Sequence, residues 1–248
     1  MIKHIKAFFS APARYGFWLP SGPRKAPRLF MYHSVTDDNA PDGLTISPQH
    51  FGEQLADLKQ RGYRFLTASQ LAERILAGET DHAKIAVITF DDGYEDNYTQ
   101  AFPLLRQHGV CATIYLSPAY KEITFLSEAQ IKEMAASGLI EFGAHTYNHV
   151  NLTKVPADVA EAEIVKSKHV AEALSGQACV SFAYPYGRYA DEHVQMVRKA
   201  GFTNAVTTKK RLRVANPAEI FRLPRMSVDG RMNKLQWRIM LQKGRYKL

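Results

Sequence analysis

The sequence predicts an α/β fold, a distorted (β/α) barrel of about seven strands in a single domain. Three observations predict it. Apolar, β-rich runs alternate with helix-like segments seven or eight times along 248 residues, as parallel strands with crossover helices require. The length and the number of repeats suit a barrel; a doubly wound open sheet is the alternative, because periodicity does not report closure. The polar residues able to carry chemistry follow the strand-like runs, at the strand ends that form the mouth of a parallel barrel.

The elements follow in order. "RLFMYHSV" reads as a strand. "SPQHFGEQLADLKQRG" reads as a helix, with a Ser cap, Phe51, Leu55 and Leu58 at helical spacing, and Gly62 as its stop. "YRFLT" is a short strand, and "SQLAERILAG" a helix capped by Ser69. "KIAVITF" is a buried strand. "YEDNYTQAFPLLRQHG" is helical with a kink at Pro103. Strand "VCATIYLS", helix "SEAQIKEMAASG" and strand "LIEFGAH" come next. "PADVAEAEIVKSKHVAEALSG" is a long helix with Pro156 in its first turn. Strand "ACVSFAYP", helix "YADEHVQMVRKAG", strand "FTNAVTT" and the extended run "IFRLPRMSV" complete the series.

The net charge of +8 is unevenly spread. Residues 1–28 hold six Lys/Arg and no acid, and residues 209–248 hold twelve against Glu219 and Asp229. The middle is therefore acidic overall. We divide the chain into a basic arm (1–27), a barrel (28–230) and a basic tail (231–248). The basic termini suit an anionic membrane surface, with Phe8, Phe9, Phe17 and Trp18 as apolar anchors; a solvated arm packed on the domain is the alternative. No nucleic-acid motif accompanies the charge, so no nucleic-acid partner is expected. No apolar run is long enough to span a bilayer, and the N-terminal stretch is broken by Pro12 and Arg14, unlike a secretory signal. Cys111 and Cys179 lie in strand-like runs and read as buried free thiols. A cytoplasmic protein, peripheral at the inner membrane, is the expectation.

One constellation recurs at the strand ends. His33 follows "LFMY", Asp91 and Asp92 follow "VITF", His145 and His149 follow "IEFGA", and Tyr184 and Tyr186 follow "VSFA". Two adjacent carboxylates repel, and one pKa rises unless a positive charge is near. "HTYNH" offers two imidazoles four residues apart, which a helical turn would place on one face. Imidazole plus carboxylate suits Zn²⁺, with Co²⁺ or Ni²⁺ as alternatives. Two histidines and one aspartate leave a position open, the pattern of a catalytic zinc. A cation lowers the pKa of its water, and a neighbouring carboxylate that does not ligate can take the proton. One aspartate would then bind and the other act.

At these residues the sequence resembles the polysaccharide deacetylases, the NodB-homology group called carbohydrate esterase family four, over about residues 29–228. "TFDDG" is similar to the first family motif and "HTYNH" to the second. The resemblance implies a metal-dependent removal of acetyl groups from sugars on a distorted (β/α) barrel. It implies Asp91 as general base and Asp92, His145 and His149 as metal ligands. The third motif departs from the family form. "FAYPYG" has Tyr184 where an arginine is usual, which leaves Arg225 of "RLPRMSV" as the candidate to hold the base. No histidine follows His193, so the late motif that supplies the acid is missing. "MYHSV" together with "FAYPYG" resembles a rearranged subset that includes deacetylases of poly-N-acetylglucosamine, and implies His33 as the acid. Tyr184 and Tyr186 fall on the substrate and oxyanion side, with the Tyr186 N–H as donor. Tyr94, Tyr147 and Tyr189 also lie in loops suited to a sugar. The implied substrate is an acetylated amino-sugar glycan or glycolipid. A non-catalytic glycan-binding protein, or an amidohydrolase or deformylase acting on another amide, are the alternatives.

Overall fold

The run "RLFMY" is buried at every position and forms the strand β1, Arg28–Tyr32. Continuous apolar runs of this kind are what strands covered on both faces require. The computed structural model describes residues 25–209, 212–213 and 216–245. The short strands β2 (Ser34–Val35) and β3 (Thr45–Ile46) pair with each other beside the barrel. Then come α1 (Pro48–Gln60), β4 (Arg64–Phe65), α2 (Ala68–Leu76), β5 (Ile85–Phe90), α3 (Phe102–His108), β6 (Ala112–Leu116) and α4 (Glu128–Ala136). The chain continues through β7 (Ile140–Ala144), α5 (Ala157–Ser175), β8 (Ser181–Ala183), α6 (Asp191–Lys199) and β9 (Asn204–Thr207). It closes with β10 (Leu223–Pro224), β11 (Met226–Ser227) and α7 (Lys234–Lys243).

The main sheet runs β10-β9-β8-β7-β6-β5-β1-β11, with β4 on β5, and every pairing is parallel. Its two ends are consecutive in the chain. The single run 223–227 pairs with β9 at one end and with β1 at the other. The sheet thus curls into a nearly closed, distorted (β/α) barrel, and Arg225 sits on the seam. Nine strands stand where about seven were expected; each of the eight extended runs of the sequence supplies one, and the last is split at Arg225 into β10 and β11.

Local chemistry accounts for most element ends. Ser47 caps α1, its hydroxyl accepting from the His50 N–H. Thr67, rather than Ser69, caps α2 through a reciprocal pair with Gln70. Pro103 lies in the first turn of α3. The chain before it, Asn97–Ala101, widens into a π-helical turn in which the Phe102 N–H reaches the Asn97 carbonyl. Cys179 is buried and Cys111 half-buried, and both are free.

The arm at 1–27 lies outside the described residues except for its last three. The segment set apart as a basic tail differs from that expectation where it is described. Residues 234–243 form α7, and Trp237, Met240 and Leu241 are buried on one side of it. Trp237 stacks on Phe30 with ring centroids 5.3 Å apart, and its indole N–H donates to Asp57 at 2.8 Å. The apolar residues of this basic stretch recur at helical spacing, so charge outside and packing inside coexist. No helix among the described residues is long and apolar enough to cross a membrane.

Candidate metal centre

Asp91 and Asp92 directly follow β5. In a strand, adjacent side chains point to opposite faces. Asp92 breaks that alternation with φ 75°, and Gly93 continues the turn with φ 86°. Both carboxylates therefore meet His145, whose Nε2 lies 3.9 Å from Asp91 Oδ2 and 3.5 Å from Asp92 Oδ1. Glycine is required at 93: a Cβ there would come within 2.7 Å of the Phe125 ring and 2.9 Å of Leu116.

The two acids have different partners. Arg225, fully buried, grips Asp91 with two parallel hydrogen bonds, Nη1 to Oδ1 at 2.6 Å and Nη2 to Oδ2 at 2.7 Å. Nη1 also donates to Thr89 Oγ1 and Nε to the Thr207 carbonyl, so the fork is fixed from β5 and β9. Burial alone would push the Asp91 carboxyl up; the charge of Arg225 and its hydrogen bonds outweigh it and hold the group well below the usual carboxylate range. Asp92 has no such partner. Burial first, then the charge of Asp91, pushes it up to about 8. Its Oδ1 is buried without a hydrogen-bond partner.

The imidazoles come from the turn after β7. The expected helical turn is not formed; residues 145–149 make a compact loop in which Thr146 (φ 59°) and His149 (φ 56°) are left-handed. The spacing still brings the rings together, with centroids 4.9 Å apart, because a tight turn reverses the chain over the same four residues. Several bonds lock it. Ser117 Oγ donates to the His145 carbonyl, the Val150 N–H to Thr146 Oγ1, and the Asn148 backbone and side chain to the buried Glu163 of α5. Burial pushes His145 down to about 3, so its ring is neutral. Its Nδ1 lies 2.8 Å from the Ala183 carbonyl, which can only accept; the proton is therefore on Nδ1 and the Nε2 lone pair is free. His149 is also lowered by burial, and its Nε2 is 3.3 Å from Asp92 Oδ1.

Asp92, His145 and His149 each offer one atom, all within 4.8 Å of one another. A buried acid without a hydrogen-bond partner on one oxygen, facing two neutral imidazoles with available nitrogens, fits a divalent cation by donor type.

The other expected residues are placed as follows. His33 is half-buried after β1, and burial lowers its pKa while the Asp91 charge opposes this. Tyr186 is 56% exposed, has φ 58°, and its ring centroid is 4.6 Å from that of His149. Tyr184 is fully buried; its ring stacks at 4.4 Å on Tyr189 and meets Phe182 edge-on. It is thus a packing residue, with its hydroxyl unpartnered. Sequence reasoning missed Asp96, Asn97 and Glu163. Asp96 accepts from Ser34 Oγ at 2.5 Å and the Val35 N–H at 3.0 Å, and Asn97 Nδ2 donates to the His33 carbonyl at 2.7 Å, so the turn after Asp92 anchors the His33 loop. The signal for Glu163 was an acid at helical spacing with the small and apolar residues Ala160, Ile164, Ser167 and Ala171, which form the buried stripe of α5.

Comparison with known proteins agrees with this geometry. A sequence model of the family "Polysaccharide deacetylase" matches residues 78–205. YxkH of Bacillus subtilis (strain 168), provisionally named a polysaccharide deacetylase, is 33% identical over 190 residues; the match covers 75% of this chain and 66% of YxkH, just under two thirds of its length. Poly-beta-1,6-N-acetyl-D-glucosamine N-deacetylase of Staphylococcus epidermidis is 28% identical, over 75% of this chain and 68% of that protein. Among solved structures, the Streptococcus pyogenes deacetylase PplD superposes with a TM-score of 0.77 at 27% identity, covering 88% of this chain and 97% of that one. By its barrel, its motifs and its match to the family model, the chain belongs to the polysaccharide deacetylases.

Proposed function

We propose that the protein is a metal-dependent hydrolase that removes N-acetyl groups from the amino sugars of a glucosamine-based glycan. The observation that carries this reading is the division of labour between adjacent acids: Asp91 is neutralised by Arg225, whereas Asp92 faces two imidazoles with one oxygen unpartnered. Asp92, His145 and His149 would hold the ion, of which Zn²⁺ suits the donors best, with Co²⁺ or Ni²⁺ next. When bound, such an ion polarises a carbonyl and eases the ionisation of water at neutral pH. Asp91, kept ionised and oriented by Arg225, takes the proton of the attacking water. His33, whose loop is anchored by Asn97 in the turn after Asp92, would protonate the departing sugar amine. The Tyr186 N–H would donate to the developing oxyanion, and the exposed ring of Tyr186, beside His149, gives a sugar an apolar surface.

The names of the staphylococcal relatives support poly-β-1,6-N-acetylglucosamine as substrate. A lipid-linked form at an anionic membrane surface is the narrower proposal, supported by the basic termini alone. The test is acetate release from oligomers of β-1,6-linked N-acetylglucosamine and from chitin oligomers, and formate release from formylated amines, each with and without a chelator. We expect release from the first that a chelator stops and added Zn²⁺ restores. Glycan binding without acetate release from metal-replete protein would favour the non-catalytic alternative, and release from the formyl substrate alone would favour another amidohydrolase.

A further inference from the structure

The opposite end of the barrel carries a second site. A pocket of about 380 Å³ opens there, lined by Arg28, Arg61, Tyr63, Lys84, Arg238 and Leu241, with Gln242 at its edge. Arg28 begins β1, Tyr63 precedes β4 and Lys84 precedes β5. These are the N-terminal strand ends, roughly 20 Å along the six-residue β5 from the carboxylates. Four cationic side chains therefore converge far from the metal centre.

Arg28 is the informative residue. It is 8% exposed. Its Nε donates to the Leu241 carbonyl at 3.0 Å, near the end of α7, and Nη1 donates to the Ala26 carbonyl. A guanidinium has five N–H donors. The remaining three have no acceptor among the described residues. None of the described carboxylates pairs with Arg28, Lys84 or Arg238 within 4.0 Å, although the Arg238 charge helps to lower the pKa of Asp57. Asp57 itself is taken by Arg61 at 2.7 Å and by the Trp237 indole. Residues 1–24 contain no Asp or Glu to supply one. Lys84 is positioned, its Nζ donating to the Arg61 carbonyl at 2.8 Å and lying 5.0 Å above the Tyr63 ring. Those donors are not sealed from solvent, so an anion entering the pocket can reach them and displace water. Burial lowers the Arg28 pKa.

We propose that this pocket binds a phosphate group, free or as the phosphodiester of a lipid headgroup. Arg28 supplies a preorganised fork at the floor, and Lys84, Arg61 and Arg238 supply charge at the rim. The volume falls within the range of small-ligand pockets. The inference is independent of the deacetylase reading, since no residue is shared.

The test uses the full chain at fixed ionic strength. Inorganic phosphate is titrated by calorimetry, and phosphatidylglycerol–phosphatidylcholine vesicles are compared with phosphatidylcholine vesicles by co-sedimentation. Two variants accompany the wild type: Arg28→Gln, and Lys84→Gln with Arg238→Gln, whose exposed side chains leave folding unaffected if the buried change does not fold. We expect binding to weaken at least about tenfold in each folded variant, the effect of losing one or two charge-assisted hydrogen bonds. Acetate release should be unchanged in the double variant. Vesicle binding that phosphate competes away identifies a headgroup; phosphate binding without vesicle binding identifies a free phosphate or a soluble phosphoester. A wild type that binds neither probe, or a double variant that binds both as well as the wild type, overturns the proposal.

Discussion

At the scale of residues, the fold pairs one aspartate with a buried arginine and leaves an oxygen of the next without a hydrogen-bond partner, the atom that the proposed cation would bind. Asp91 has a depressed pKa in the folded protein, so its pairing contributes stability above the unfolded carboxylate value near 4. That contribution is lost as pH falls from there toward the folded value. Replacing Arg225 by Met strands a buried carboxylate. We expect a loss of about 3–5 kcal/mol in urea unfolding at pH 7, shrinking as Asp91 protonates at lower pH. An acid limb of the pH–rate profile that shifts upward in Arg225→Lys would report the same coupling. In Asp92 the sign is reversed: with its folded pKa raised to about 8, the cation-free protein pays increasingly for ionising it as pH rises. Binding of Zn²⁺ near pH 7 should therefore release about one proton per ion, read from the dependence of binding heat on buffer ionisation enthalpy. These residues were legible in sequence because each motif is short and contiguous. Arg225 was legible only by elimination, since nothing local ties position 225 to position 91.

At the scale of elements, loops after β5, β6 and β7 are tied to one another before any ligand arrives. The Ser117 N–H donates to the Asp92 carbonyl and the Ala119 N–H to the Tyr147 carbonyl. Gly143 in β7 lets this happen, because a Cβ there would lie 2.5 Å from the Tyr115 ring and 2.7 Å from the Ser181 carbonyl. Tyr115 cannot yield cheaply, as its hydroxyl bonds Ser181, which in turn bonds Asn204. Gly143→Ala should cost about 1–3 kcal/mol in denaturant unfolding, with tyrosine fluorescence reporting the disturbed ring. The spacing of "HTYNH" was legible but its conformation was not. Helices and compact turns both return the chain after four residues, and left-handed φ at Thr146 and His149 has no glycine to announce it. The anchoring of the His33 loop by Asp96 and Asn97 was equally silent, because it links residues more than 60 positions apart.

At the scale of the whole molecule, closure of the sheet and the grip on Asp91 share one segment. The run 223–227 joins the two ends of the sheet and carries Arg225 to Asp91. The alternation of strands and helices announced a parallel α/β fold, but closure depends on which strand the last run meets, which no periodicity records. Trp237 of α7 then packs over β1 beside that seam, an inward face that net charge concealed. The most direct test is bound metal per chain, measured by elemental analysis on Asp91→Asn and Asp92→Ala after equilibration with Zn²⁺. Asp91→Asn should hold about one ion, as the wild type should, while releasing no acetate; Asp92→Ala should hold essentially none. Full metal occupancy in Asp92→Ala, or its loss in Asp91→Asn, would contradict the assignment of one acid to the cation and the other to the proton.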